Sequence, residues 1–191
     1  MTEKTVPKQF ILLDTESVDG KEYLSEVYML LVNYTPETGF VPGRDLHLLV
    51  RADRRRMKKS DDKKIFKEVT GLSYATLSKH GSSYSYVISQ VRNFIHAFPN
   101  AVLIARDPTL DMKLLKLHDV KEVLNYLREP FCYAYYARRN RPQEIEQECS
   151  KYHCGFHHTI SNGGIPHCAK MDVMIMYCWL LSVGNVGNNV G

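Results

Sequence analysis

The sequence predicts an α/β domain whose mixed sheet opens as an antiparallel three-strand meander, continues with parallel strands and is flanked by helices. Three observations carry that expectation. The first fifty residues hold three apolar runs separated by turn-rich segments. An amphipathic stretch over 83–98 is followed at once by AVLIA, as expected of a strand reached through a helical crossover. Hydrophobic residues make up 44% and charged residues 24% of the 191, the balance of a globular chain rather than a disordered, collagen-like or coiled-coil one.

Taken in order, QFILLDT (9–15) ends in an acid, and the turn-like SVDGKE leads into EVYMLLVNY (26–34), so the two read as a hairpin. DLHLLVR (45–51) follows the breaker-rich TPETGFVPGR and supplies the third strand. Residues 51–67 are charge-dense with almost no apolar anchor and read as a solvated loop. Over 83–98, Tyr84, Val87, Ile88, Val91, Phe94, Ile95 and Phe98 fall at helical spacing, and Pro99-Asn100 ends the segment. AVLIA (101–105) is then a buried strand, and LDMKLLKL opens a helix after the Asp107-Pro108 turn. HDVKEVLNYL (118–127) is predicted helical, FCYAYYA (131–137) a strand and RPQEIEQECSKY (141–152) a short helix. MDVMIMYCWLL (171–181) makes a last apolar helix. The expected domain spans 1–183, with 184–191 a flexible Gly/Asn tail.

No apolar run reaches the roughly 20 residues that a membrane-spanning helix needs. The polar start MTEKTVPKQ lacks the apolar stretch of a signal peptide. The expected location is therefore intracellular, in cytoplasm and/or nucleus, with no membrane partner. There the five cysteines read as thiols or metal ligands rather than a disulfide framework. The net charge of +4, from 25 Lys and Arg against 21 Asp and Glu, implies a polyanion partner only through clustering.

Four acids stand out. Asp14 and Glu16, two apart on a strand, present both carboxylates to one face, which is unfavourable unless a cation lies between them. Asp111 begins a helix after VLIA, and Asp172 lies at the start of the last helix, five residues after His167. Brought together, four carboxylates call for Mg²⁺ or Mn²⁺. Two such ions can activate water and stabilise a departing 3′ oxygen, with His167 as general base.

The order and spacing resemble the DEDDh 3′–5′ exonucleases of the ribonuclease H-like superfamily. ILLDTES is similar to the family's first motif and EVTGLSYATL to the segment before its substrate-facing helix. LIARDPTLDMKLL sets Asp111 where the family has the aspartate of its second motif, and HCAKMD matches its H-x4-D. The resemblance covers residues 10–180 and implies a ribonuclease H-like fold and a nuclease with catalytic Asp14, Glu16, Asp111, His167 and Asp172. One departure is Arg106-Asp107, where the family commonly has His-Asn, which leaves Asp107 a rival to Asp111.

Cys149, Cys154 and Cys168 share a window with four of the eight histidines. Cys154-x2-His157 with Cys168 offers three ligands at spacings suited to tetrahedral zinc, a fourth being required from elsewhere; buried thiols beside surface histidines is the plainer alternative. Here the chain resembles the Maelstrom domain, a relative of these exonucleases with a Glu-Cys-His-Cys zinc site. The match of SEVYMLLVNY to that family's second strand implies Glu26 as the glutamate, beside Cys154, His157 and Cys168. The implied zinc is structural, fixing the 154–168 loop and so placing His167.

Arg54, Arg55, Arg56, Lys58 and Lys59 form one basic cluster, and Arg138 and Arg139 another. Such runs are ordinarily solvated faces, and beside a nuclease-like site they become candidate phosphate contacts. Tyr133, Tyr135 and Tyr136 could stack bases or pack in the core. The expected activity is metal-dependent hydrolysis of single-stranded nucleic acid, RNA ahead of DNA. The alternative is a Maelstrom-like RNA-binding or protein-interaction module of a small-RNA silencing pathway, with silencing-pathway proteins as partners.

Overall fold

The computed structural model describes residues 9–18, 23–52, 70–105, 107–120, 123–125 and 168–187. Strand β1 (Gln9–Ser17) pairs antiparallel with β2 (Leu24–Thr35), and β2 pairs antiparallel with β3 (Gly39–Leu49), which is the predicted meander. The β2–β3 turn is closed by Thr35 Oγ1, which accepts the Thr38 N–H at 3.1 Å, and by Gly39, whose φ of +67° a side chain would resist. Helices α1 (Tyr74–His80) and α2 (Tyr84–His96) then carry the chain across to β4 (Val102–Ala105), which lies parallel to β1. Ser73 and Ser83 cap these helices by accepting the Thr76 and Tyr86 N–H groups. Helix α3 (Pro108–Leu115) follows, with Pro108 in its first turn and Lys116 closing it in the left-handed region at φ 53°.

Among the described residues the sheet has five strands in the order β3-β2-β1-β4-β5. The last, β5 (Val123–Asn125), corrects the sequence expectation, which made 118–127 helical. The segment instead pairs parallel with β4 through Leu103↔Val123, Ile104↔Leu124 and Ala105↔Asn125. Backbone pairing at an open sheet edge has overridden a weak local helix preference. The strand and helix expected at 131–137 and 141–152 lie outside the described residues.

Strand β1 is covered on both faces, which is why Phe10, Ile11, Leu12 and Leu13 are all buried in an unbroken apolar run. Phe10 and Leu12 face the last helix, α4 (Ala169–Gly187), together with Tyr28, Leu30 and Ile104. Ile11 and Leu13 face α2 and α3 through Val87, Val91, Phe94, Leu114 and Leu115. The three layers are thus α4, the sheet, and α2 with α3. Helix α4 continues past residue 183, the expected domain limit, to Gly187. No helix of the described residues is long and apolar enough to cross a membrane.

Leu12 is fully buried between β1 and α4, and Tyr86 is 50% exposed on α2. Leu12→Ala is expected to lower the unfolding free energy by about 2–5 kcal/mol in urea titrations. Tyr86→Ala should stay within about 0.5 kcal/mol of wild type.

Candidate metal centre

Alternation along β1 sends Asp14 and Glu16 to the α4 face and Thr15 to the opposite one. The first turn of α4 delivers Asp172, whose N–H donates to the Cys168 carbonyl at 3.0 Å. One carboxylate oxygen from each of Asp14, Glu16 and Asp172 lies within 4.8 Å of the others. Asp14 and Asp172 are buried, at 4% and 1% exposure, and Glu16 is half-buried. Two oxygens, Asp14 Oδ2 and Asp172 Oδ1, are buried and take no hydrogen bond among the described residues, although both side chains are otherwise engaged. A set of hard oxygen donors, part of it desolvated, suits Mg²⁺ or Mn²⁺ better than a softer ion.

Asp111, expected as the fourth ligand, is not in that group. Thr15 Oγ1 donates to its Oδ1 at 2.5 Å, and the Asp107 N–H donates to its Oδ2 at 3.1 Å. It therefore ties the start of α3 to the underside of the β1 end. Burial pushes its carboxyl up from an ordinary 3.8 to about 7, against the lowering effect of those two hydrogen bonds. Asp107, the rival in sequence, is the cap of α3: its Oδ1 accepts the Leu110 N–H at 3.3 Å.

A second polar group lies beside the first. Glu26 on β2 is directly opposite Glu16 on β1, and is fully buried. His47 Nε2 on β3 donates to Glu26 Oε1 at 2.7 Å, and the Ala169 N–H donates to Glu26 Oε2 at 3.2 Å. The Cys168 thiol lies 3.9 Å from Glu26 Oε1. Two of the four expected zinc ligands, Glu26 and Cys168, are thus together, while Cys154 and His157 lie outside the described residues. Next to them Tyr28, directly opposite both Asp14 and His47, donates to Asp45 Oδ2 at 2.7 Å. Burial first, and then Asp45, holds the Tyr28 phenol far above its usual range.

His167 and the basic residues Arg54, Arg55, Arg56, Lys58, Lys59, Arg138 and Arg139 also lie outside the described residues. Sequence reasoning missed His47. Its signal is present in DLHLLV, where a histidine between Leu46 and Leu48 takes the face opposite to theirs, the face that also carries Glu26.

No family model matches this chain, and no curated protein matches it in sequence. Solved structures do. The nuclease domain of 3′hExo, a DEDDh family member bound to rAMP, superposes with a TM-score of 0.54 at 14% identity, covering 95% of this chain and 94% of that one. Exonuclease I of E. coli, in complex with an oligonucleotide, gives 0.57 at 12% identity over 93% of this chain, which spans only 41% of that enzyme. The Mopeia virus exonuclease domain, partially complexed with manganese, gives 0.54 at 20% identity, covering 95% and 78%. The chain therefore has the ribonuclease H-like α/β fold of DEDDh exonuclease domains.

Asp111 generates a pH prediction for the metal-free protein. Its folded pKa, about 7, exceeds its ordinary 3.8, so between those values the folded state holds a proton that the unfolded state has lost. Stability from this group is complete below about pH 4 and is lost as pH rises towards 7. The unfolding free energy of wild type minus that of Asp111→Asn, measured in urea with chelator present, should fall across this window and level off above it.

Proposed function

We propose that the protein is a divalent-metal-dependent nuclease acting as a 3′–5′ exonuclease on single-stranded nucleic acid, RNA ahead of DNA. The observation that carries this reading is the convergence of Asp14, Glu16 and Asp172, from opposite ends of the chain, into one group of oxygens within 4.8 Å. Asp14, Glu16 and Asp172 would hold the metal, a pair of Mg²⁺ or Mn²⁺ ions in the full proposal. When bound, such ions supply Lewis acidity towards water and phosphate oxygens.

The chain's own residues do the rest. The strand end and the first helical turn bring the three carboxylates together, which limits the reorganisation left for the reaction. Asp111 steadies the strand end through Thr15, and would join as a fourth ligand only by exchanging that contact. His167, one residue before Cys168, is assigned to take the proton from the attacking water. The arginine and lysine clusters at 54–59 and 138–139 are assigned to the phosphate backbone, which makes binding strongly salt-dependent. A structural zinc held by Glu26, Cys154, His157 and Cys168 belongs to the same proposal, supported by the Glu26–Cys168 proximity.

The test uses 5′-labelled and 3′-labelled RNA and DNA single strands with Mn²⁺ or Mg²⁺. Wild type should shorten them from the 3′ end. Asp14→Ala and His167→Ala should each lower kcat by roughly 100-fold or more. Cleavage unchanged in both variants overturns the mechanism, and tight RNA binding without hydrolysis by wild type would favour the Maelstrom-like binding module instead. Metal analysis completes the test: about one zinc per chain is expected in wild type and much less in Cys154→Ser.

A further inference from the structure

We infer that Glu26, held by His47, is the pin that registers helix α4 against the sheet, and that His47 is thereby a positioning residue for the carboxylate centre. This rests on reading Asp14, Glu16 and Asp172 as that centre.

The contacts form a continuous chain. On one side, Glu26 sits opposite Glu16 in the β1–β2 register. On the other, its Oε2 accepts the N–H of Ala169, the first residue of α4, and its Oε1 lies within reach of the Cys168 thiol. The Cys168 carbonyl accepts the Asp172 N–H, so Asp172 stands one hydrogen-bonded turn beyond the pin. One carboxylate thus touches the start of α4 and neighbours the strand acid that Asp172 must meet. It is also an anion at a helix N-terminus, where the helix dipole favours it.

In the protein stripped of the proposed zinc, a fully buried carboxylate opposite another glutamate depends on its hydrogen-bond donors. His47 supplies one such donor on Oε1, and its own side chain is 19% exposed and seated edge-on to the Tyr28 ring. With His47 replaced by an apolar residue, Glu26 loses that donor and turns away from its place between β3 and α4. This weakens its hold on the Ala169 N–H, and the first turn of α4 with Asp172 loses its register. Metal centres need ligands held within about 0.5 Å, so the loss appears in metal affinity. Removing such outer contacts typically weakens affinity 10–100-fold.

The experiment compares full-length wild type, His47→Leu and His47→Gln, the last keeping a side-chain N–H donor of similar reach. His47→Thr, too short to reach Glu26, replaces the leucine variant should that fail to fold, as judged by circular dichroism and thermal melting. In chelator-treated protein, exchange of the Ala169 and Asp172 amides, read by NMR, should accelerate at least about 10-fold in His47→Leu and stay near wild type in His47→Gln. Calorimetric Mn²⁺ affinity of the same chelator-treated proteins, with chelator removed, should weaken about 10–100-fold in His47→Leu and recover in His47→Gln, with kcat falling more than KM changes. A folded His47→Leu protein with wild-type exchange, or with wild-type Mn²⁺ affinity, overturns the inference. Should wild type itself bind no Mn²⁺, the metal-centre reading falls, and the exchange measurement alone decides whether His47 and Glu26 hold the helix.

Discussion

The rest of the structure depends on β1 being buried on both faces. A central strand with helices above and below sorts its residues strictly by parity. Phe10 and Leu12 go to α4, and Ile11 and Leu13 to α2 and α3. When the apolar run gives way to Asp14, Thr15 and Glu16, the same sorting splits the polar end. Two carboxylates meet Asp172 on the α4 side, and the intervening hydroxyl reaches Asp111 on the other. The carboxylate centre and its brace on α3 are therefore two consequences of one alternation.

That arrangement concentrates like charge. At the effective dielectric of about 20 that suits protein sites, two unit charges about 5 Å apart repel by roughly 3 kcal/mol. The structure separates its acids into kinds. Glu26 has a histidine and a main-chain donor, and Asp111 has two donors and a proton affinity raised by burial. Asp14 and Asp172 each keep a buried oxygen that no described hydrogen bond reaches. These are the two buried acids whose oxygens converge with Glu16, a cluster of hard donors that suits a divalent cation.

Much of this was legible in the sequence, because it rests on local patterns. The meander, the strand VLIA and the last helix follow from apolar runs bounded by turn residues, and the helix after Ser83 follows from apolar spacing near four. The shared face of Asp14 and Glu16 follows from the alternation of a strand. What was not legible depends on partners distant in sequence. Residues 123–125 form a strand because β4 offers an edge, and nothing within VLN says so. Asp111 looks like a ligand from its spacing, yet its two oxygens bond Thr15, 96 residues away, and the neighbouring Asp107 N–H. Glu26 and His47, 21 residues apart, become partners through a strand register that contains a bulge between Leu30 and Val32. A bulge shifts pairing by one residue, and no composition rule locates it from one sequence.

The remaining question is why α4 docks at all, since docking brings Asp172 against two acids. The answer is one of magnitudes. Val173, Met174, Ile175, Met176 and Leu180 of α4 are buried against Phe10, Leu12, Leu30, Val32 and Ile104. Each such side chain contributes about 1.5–3 kcal/mol of transfer free energy. Two repulsions of roughly 3 kcal/mol each are therefore smaller than the packing of a few of these residues. Hydrophobic burial positions the helix, the Glu26 contact at Ala169 selects its register, and the acids are carried together as a consequence. The centre is preorganised by apolar contacts that take no part in its chemistry. An ion entering it relieves an electrostatic cost already accepted during folding, so part of that cost returns as affinity.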